Sequence, residues 1–357
     1  MSGDEETIAI RTGEAFAFPK VERYIREHIG ECRDAKGTLQ VRQFPAGASN
    51  LTYLLRLGDW EGVLRRPPFG PVPPKAHDMQ REASLLEHIS PLFPLAPRPY
   101  IFCADLSIMG VPFYVMERRR GAVVDDSFPP GVTPTPELCR QLSLMVVDTL
   151  VQIHALDWQG GGLSVFGHPD GFLPRQVKGW VERYFRSQTD DIPQVGPLTR
   201  WLSEHVPASP PATLIHNDFK LNNMLLDAHD LTKPVAVLDW EMATIGDPLF
   251  DLAITLSYWA STDDPASLQN VLPTVTPLPG FIKRQQFMDL YAQKSGRDLS
   301  SMDFYMAFAY FKLAVIVQQI YSRWQRGQTQ DERFASFSNH IQALITHATS
   351  ITEGGKL

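Results

Sequence analysis

The sequence predicts an α+β chain with a small antiparallel β-sheet part at the N-terminus (1–118) and a larger, mainly helical part after it (119–357). Three observations predict it. Short runs that alternate in polarity or are rich in Val, Leu and Tyr cluster before residue 118. Apolar residues recur at helical spacing over most of the chain after residue 135. Between these regimes lies a loop dense in Pro, Asp and Gly, 125–136.

Each element has its own signal. Val21, Tyr24, Ile25, His28 and Ile29 predict an amphipathic helix over 18–29. Strands are expected at 39–44, 51–57 and 60–66, the last two joined by Gly58-Asp59, a hairpin turn. A Pro-rich loop then leads to a helix over 77–89, and strands follow at 100–103 and 111–116. Thr135-Pro136-Glu137 reads as an N-cap, a Pro at the first helical position and an early acid, opening a helix that runs to His154. A strand-and-loop block occupies 213–239, and helices are expected over 248–259, 281–294, 302–326 and 334–349. Residues 304–320 are apolar nearly all round, as in a helix covered on every side.

Composition narrows the function. A hydrophobic share of 43% can fill a core, and 357 residues suggest about two structural units. Cys32, Cys103 and Cys139 are odd in number and widely spaced, so they form neither a disulfide framework nor a metal knuckle. A reducing setting fits them. A net charge of −7 disfavours nucleic acid as a partner but leaves room for a local basic pocket. The first eleven residues are acidic and polar rather than signal-like, and the most apolar stretch, 306–317, is interrupted by Lys312. That stretch is about half the length of a bilayer span. The expectation is a cytoplasmic protein with no membrane partner.

The strongest chemical signal is the run Leu214 to Leu226, where His216-x-Asp218-x4-Asn223 sits between two apolar segments. A third apolar run, 235–238, ends in Asp239-Trp240-Glu241. Phosphoryl transfer needs a carboxylate near the acceptor hydroxyl, and an amide oxygen and a second carboxylate as hard ligands for Mg²⁺. Asp218, Asn223 and Asp239 supply that set in order. The bland alternative is a turn, for which Asn and Asp are favoured anyway; the second Asp at the end of the next apolar run argues against it.

These motifs, with Gly246-Asp247-Pro248-x2-Asp251-Leu252-Ala253 after them, resemble the aminoglycoside phosphotransferase and choline kinase-like family of small-molecule kinases. Gly47-Ala48-Ser49-Asn50, the Val63 to Pro68 strand end and Ala76-His77-Asp78-x2-Arg81-Glu82 resemble the branch related to the kinase-like domains fused to acyl-CoA dehydrogenases. The correspondence covers roughly residues 40 to 325, in chain order. It implies a protein-kinase-like bilobal fold, ATP and Mg²⁺. Carried over by position, Asp218 is the catalytic carboxylate, Asn223 and Asp239 are the metal ligands, and Asp251 braces the catalytic loop. A helix N-terminal acid is the alternative for Asp251. His216 is expected to position the loop by hydrogen bonding, since Asp218 already suits proton acceptance.

Two departures from the family pattern stand out. Asn217 replaces a common Gly; Asn is among the non-Gly residues that tolerate positive φ. Arg65 stands where protein kinases use Lys, with Val63 on the same strand face to cover adenine and Arg66 facing away. Arg chelates phosphate oxygens in a bidentate way, and Glu82 is its expected partner, with a solvated surface pair as the alternative. Gly47, Ser49 and Asn50 occupy the turn where kinases fold a loop over phosphates, and Met116 and Glu117 the position of a hinge offering backbone groups to adenine. Arg175, Lys178, Arg183 and Arg186 give the early helical region a basic face, either a pull on an anionic acceptor or one solvated helix face.

The reading is an ATP- and Mg²⁺-dependent phosphotransferase acting on a hydroxyl of a small molecule, with a hydroxyacyl-CoA suggested by the branch. Two alternatives stand beside it: an aminoglycoside or macrolide phosphotransferase, and a nucleotide-binding pseudokinase scaffold, motivated by Arg65 and Asn217.

Overall fold

The computed structural model describes residues 6–45, 50–68, 77–269, 271, 273–329 and 331–355. The chain divides into two compact units, Met1–Gly121 with Val235–Glu241, and Ala122–Pro234 with Met242–Leu357. The sequence expectation cut the chain once, after residue 118; the structure returns 235–241 to the first unit.

The first unit is a five-stranded antiparallel sheet in the order β1-β2-β3-β5-β4. Its strands are β1 (Gln40–Gln43), β2 (Leu51–Leu57), β3 (Trp60–Arg66), β4 (Pro99–Cys103) and β5 (Phe113–Glu117). Its helices are α1 (Phe18–His28), α2 (Met79–Ile89) and the single turn α3 (Leu106–Met109). Alternation sends Tyr53, Leu55, Leu57, Leu64, Phe113 and Val115 to one sheet face, where they pack with Val21 and Ile25 of α1. α2 starts where the Asp78 carboxylate accepts from the Arg81 N–H. α3 escaped the sequence reading, although Asp105 caps its start and Gly110, at φ 84°, ends it.

The second unit is mainly helical: α4 (Pro136–His154), α5 (Phe172–Ser187), α6 (Val195–Glu204), α7 (Pro248–Ser257), α8 (Ala266–Gln269), α9 (Arg284–Ser295), α10 (Met302–Gln325) and α11 (Phe337–Thr352). Short strands β6 (Thr213–Ile215), β7 (Met224–Leu226) and β9 (Thr244–Gly246) lie between α6 and α7, and β8 (Pro234–Val237), in the same stretch of sequence, opens the segment that belongs to the first unit. β6 pairs antiparallel with β9, and Ala122 bridges Leu226 of β7. Thr135 caps α4 and Asp247 caps α7, each followed by Pro at the first helical position. α10 is long and apolar enough to cross a membrane by length and composition, although the apolar run read from sequence is only half that length. It is the central helix of this unit, packed on α5, α7 and α11 and buried over most of its length.

Candidate active site

Arg65 is the hub of the first unit's polar cluster. β3 places Val63 and Arg65 on one face; Met116 lies opposite Val63 and Tyr114 opposite Arg65, so all four share it. Arg65 Nη1 donates to Glu82 Oε1 at 2.5 Å, and Nη2 donates to Asp239 Oδ1 at 3.0 Å. Glu241 Oε2 lies 3.8 Å from the same Nη2. The Arg65 side chain is 10% exposed and that of Glu82 2%, so this is a buried pair and not the solvated surface pair weighed as an alternative. Arg65 is the fixed charge, and Glu82 is the group that titrates. Burial pushes the Glu82 carboxyl up to about 7 against the pull of Arg65, with Asp239 and Glu241 adding to the rise.

Asp239 sits at φ 67°, in the left-handed region that non-Gly residues seldom adopt. Its neighbours hold it there. The Trp240 indole is buried and donates to Val237 O at 2.8 Å, Val237 N–H donates to Leu95 O at 2.8 Å, and Arg81 Nη1 donates to Glu241 O at 3.2 Å. Backbone strain of this kind persists where the surroundings over-determine it, and it concentrates at functional sites.

The remaining positions of the first unit are held as follows. Asn50 donates from Nδ2 to Glu241 Oε2 at 2.6 Å, and His77 Nδ1 lies 2.8 Å from Asn50 Oδ1. One N–H of the Asn50 amide and its oxygen are thus engaged within the protein. Gly47 and Ser49 lie outside the described residues. Met116 is buried opposite Val63. Glu117 N–H donates to Arg98 O at 2.8 Å, so Glu117 does not present the free backbone donor expected of a hinge. Its carboxylate accepts from Arg98 N–H and from Arg119 Nε.

In the second unit the polar residues of the 214–226 run converge. Asn223 Nδ2 donates to the Asp218 carbonyl at 2.8 Å and to Asp218 Oδ2 at 3.0 Å, which leaves Asn223 Oδ1 as the amide's hard oxygen. Lys220 Nζ donates to both Asp218 oxygens, at 3.1 and 3.2 Å, and lies 4.6 Å from the centre of the Tyr258 ring. Burial, and then the Asp218 carboxylate beside it, push the Tyr258 phenol well up, so it stays protonated. The sequence reading gave Lys220 and Tyr258 no role. Lys220 was legible two residues past Asp218, whereas the approach of Tyr258, at the end of α7, depends on tertiary packing.

Asp251 braces the loop from α7. Its fully buried carboxylate accepts from His216 N–H and Asn217 N–H, each at 2.7 Å, and from His154 Nε2 at 3.0 Å. Burial alone would raise its pKa, but the His154 bond and the His216 N–H outweigh it and hold the carboxyl below the usual range. His154 is pushed down by burial and stays neutral; with Nε2–H given to Asp251, its Nδ1 accepts from the Tyr291 hydroxyl at 2.7 Å. His216 is buried, edge-on to Phe219. Asn217 adopts φ 66°, the left-handed conformation a Gly would take most easily.

Beside Lys220 and Tyr258 lies a cleft of about 120 Å³, also lined by Val124, Asp125, Asn222, Thr255, Trp259, Pro273 and Thr276. Asn222 Oδ1 and Thr255 Oγ1 are buried without a hydrogen-bond partner. Orphaned polar atoms beside a cleft are what a bound polar group would satisfy. Two of the four basic residues of α5 are engaged within the protein. Arg175 donates to the carbonyls of Asp170 and His168, and the Arg183 guanidinium lies 4.4 Å from the Trp180 ring centre.

Among the described residues no three His, Cys, Asp or Glu side chains gather as a metal site. Mg²⁺ on a nucleotide does not require such a cage, since one or two protein oxygens and the phosphates suffice. Asn223 Oδ1 and the Asp239 carboxylate are oxygens of that kind.

Comparison with known proteins gives the family. Rat acyl-CoA dehydrogenase family member 11 is 34% identical over 351 residues, which is 96% of this chain. The chain spans 44% of the length of that curated relative. A Ralstonia eutropha crystal structure, provisionally named an aminoglycoside phosphotransferase, superposes with a TM-score of 0.81 at 26% identity, over 96% of this chain and all of that one. Aminoglycoside phosphotransferase APH(4)-Ia, in a ternary complex with AMP-PNP and hygromycin B, shares the kinase-like fold at a TM-score of 0.59 and 17% identity, over 94% of this chain and 99% of that one. A family model described as the phosphotransferase enzyme family matches residues 40–276, and the chain belongs to that family.

Proposed function

We propose that this chain transfers the γ-phosphoryl group of ATP, with Mg²⁺, to a hydroxyl of a small molecule, and that the acceptor is a hydroxyacyl-CoA. The observation that carries the reading is the Asp218 carboxylate, oriented by Asn223 and Lys220 in a loop whose backbone Asp251 clamps. Asp218 accepts or orients the acceptor's hydroxyl proton. Asn223 and Asp239 are each assigned as Mg²⁺ ligands, and Arg65 is assigned to the nucleotide phosphates, with Val63 and Met116 against the adenine. Bound Mg²⁺ would neutralise charge on the phosphates, and little covalent chemistry would be left to the protein. Positioning and electrostatics by these residues then set the rate.

Two things support the acyl acceptor: the kinship with acyl-CoA dehydrogenase family member 11 and the chemistry of the cleft. Among its described lining residues the charged groups are Lys220 and Asp125, and Asp125 already accepts from Asn222 Nδ2 at 2.8 Å. A polycationic aminoglycoside would find little negative charge there. A hydroxylated tip could satisfy Asn222 Oδ1 and Thr255 Oγ1, and an apolar stem could lie along Tyr258, Trp259 and Pro273.

A coupled ADP-release assay across 4-hydroxyacyl-CoAs, aminoglycosides, macrolides and choline tests this. The expected result is ADP release dependent on the hydroxyacyl-CoA, with a phosphorylated thioester seen by ³¹P NMR. Release confined to an antibiotic would overturn the acceptor assignment. Nucleotide binding without turnover on any acceptor, or in its absence, would favour a scaffold.

A further inference from the structure

Lys312 lies midway along the apolar helix α10 and is 5% exposed. Its ammonium sits 5.2 Å from the ring centre of Phe250 and 5.5 Å from that of Trp180. Nζ donates to the carbonyl of Asn217 at 3.3 Å. A buried cation is unfavourable unless something compensates it, and a neutral residue of similar length would pack here without that penalty. The compensation is local to the catalytic loop.

Asn217 is the residue in that loop that most needs holding. It takes a left-handed conformation, a cost of about 1 kcal/mol or more for a residue with a side chain. Three elements secure three different groups of it. Asp251 of α7 takes its N–H at 2.7 Å, the Met242 carbonyl takes its Nδ2 at 2.9 Å, and Lys312 of α10 holds its carbonyl. Asp218 follows directly, so the direction of its carboxylate depends on this turn.

We propose that Lys312 is a positioning residue for phosphoryl transfer: its buried ammonium locks the Asn217 turn beneath Asp218, and turnover requires that ammonium to be protonated. The proposal rests on the kinase reading of Asp218. The charged groups acting on Lys312 are Asp218 and Lys220 of the loop, Asp251 of α7 and Arg183 of α5. Burial brings its pKa down to about 8; Asp218 and Asp251 resist the fall, while Arg183 and Lys220 add to it. The lock therefore loosens just above neutral pH.

The test compares wild type, Lys312→Met and Lys312→Arg, with MgATP alone as the probe and basal ADP release as the readout from pH 6 to 10. Wild-type kcat should fall through an alkaline limb near pH 8. Lys312→Arg should stay active and lose that limb, and Lys312→Met should be slower by about tenfold at every pH, with little change in KM for ATP. A Met variant with wild-type kcat and pH profile overturns the proposal. Lysine-selective NMR separates this from failure of the kinase reading. The amine signal absent from Lys312→Met should titrate near pH 8, and should move lower in Asp218→Asn, where a negative neighbour is lost. Even in a chain that releases no ADP, titration at an ordinary lysine value, unmoved by Asp218→Asn, would refute the coupling.

Discussion

Arg65 and Lys312 are the two buried cations on which the account leans, and they respond to substitution in opposite ways. Arg65 is bonded to Glu82 and Asp239, so Arg65→Met strands a buried carboxylate and should destabilise the chain by about 3 kcal/mol or more in urea unfolding. Glu82 sets a pH signature. Its carboxyl is raised from 4.5 to about 7, so the folded chain binds that proton more tightly than the unfolded chain does. Its contribution is full below pH 4.5 and is lost as pH rises towards 7; the difference in stability between wild type and Glu82→Gln should fall across that window. A flat difference would show that Glu82 titrates normally. Lys312 has the reverse sign, because its folded pKa is lowered from 10.5 to about 8. Wild type should gain stability relative to Lys312→Met as pH rises through that range, by up to about 3 kcal/mol. Of these residues, sequence alone paired Arg65 with Glu82. It saw Lys312 only as an interruption in an apolar run, since the carbonyl it serves lies 95 residues away.

At the scale of elements, strands were legible where alternation and a Gly-Asp turn marked them: the expected 51–57 and 60–66 match β2 and β3. Helix ends were less so. The helix expected from 281 begins at Arg284, because Trp259 Nε1 binds the Ile282 carbonyl and Ser143 Oγ takes its N–H, holding that residue outside the helix. The helix expected over 334–349 runs instead from Phe337 to Thr352, after a short turn capped by Asp331. The order of the sheet, β1-β2-β3-β5-β4, is set by long-range pairing that no local signal announces. The loop proposed to be catalytic is an element in its own right, and its shape depends on Asp251 accepting two adjacent N–H groups. Asp251→Asn would set an NH₂ donor against one of them, and kcat should drop by about a hundredfold while the chain stays folded. Circular dichroism beside steady-state kinetics checks this; unchanged kcat would show that the clamp is dispensable.

Over the whole molecule, family membership was legible because the residues that carry the resemblance cluster into short motifs, whereas the cleft proposed for the acceptor draws on residues from Val124 to Thr276 and has no motif. Binding should be visible in stability. A ligand held only by the folded chain at about a hundred times its Kd adds about 2.7 kcal/mol. MgATP should therefore raise Tm, and EDTA should remove most of the increase; a shift indifferent to EDTA would contradict the metal assignments of Asn223 and Asp239. The most direct measurement is ³¹P NMR of MgATP and a 4-hydroxyacyl-CoA incubated with wild type and with Asp218→Ala, with nucleotide affinity measured on both. Wild type should give a new phosphate-ester signal and ADP, Asp218→Ala should give none, and the two should bind nucleotide similarly. Equal product from the Asp218→Ala chain would contradict the role assigned to Asp218.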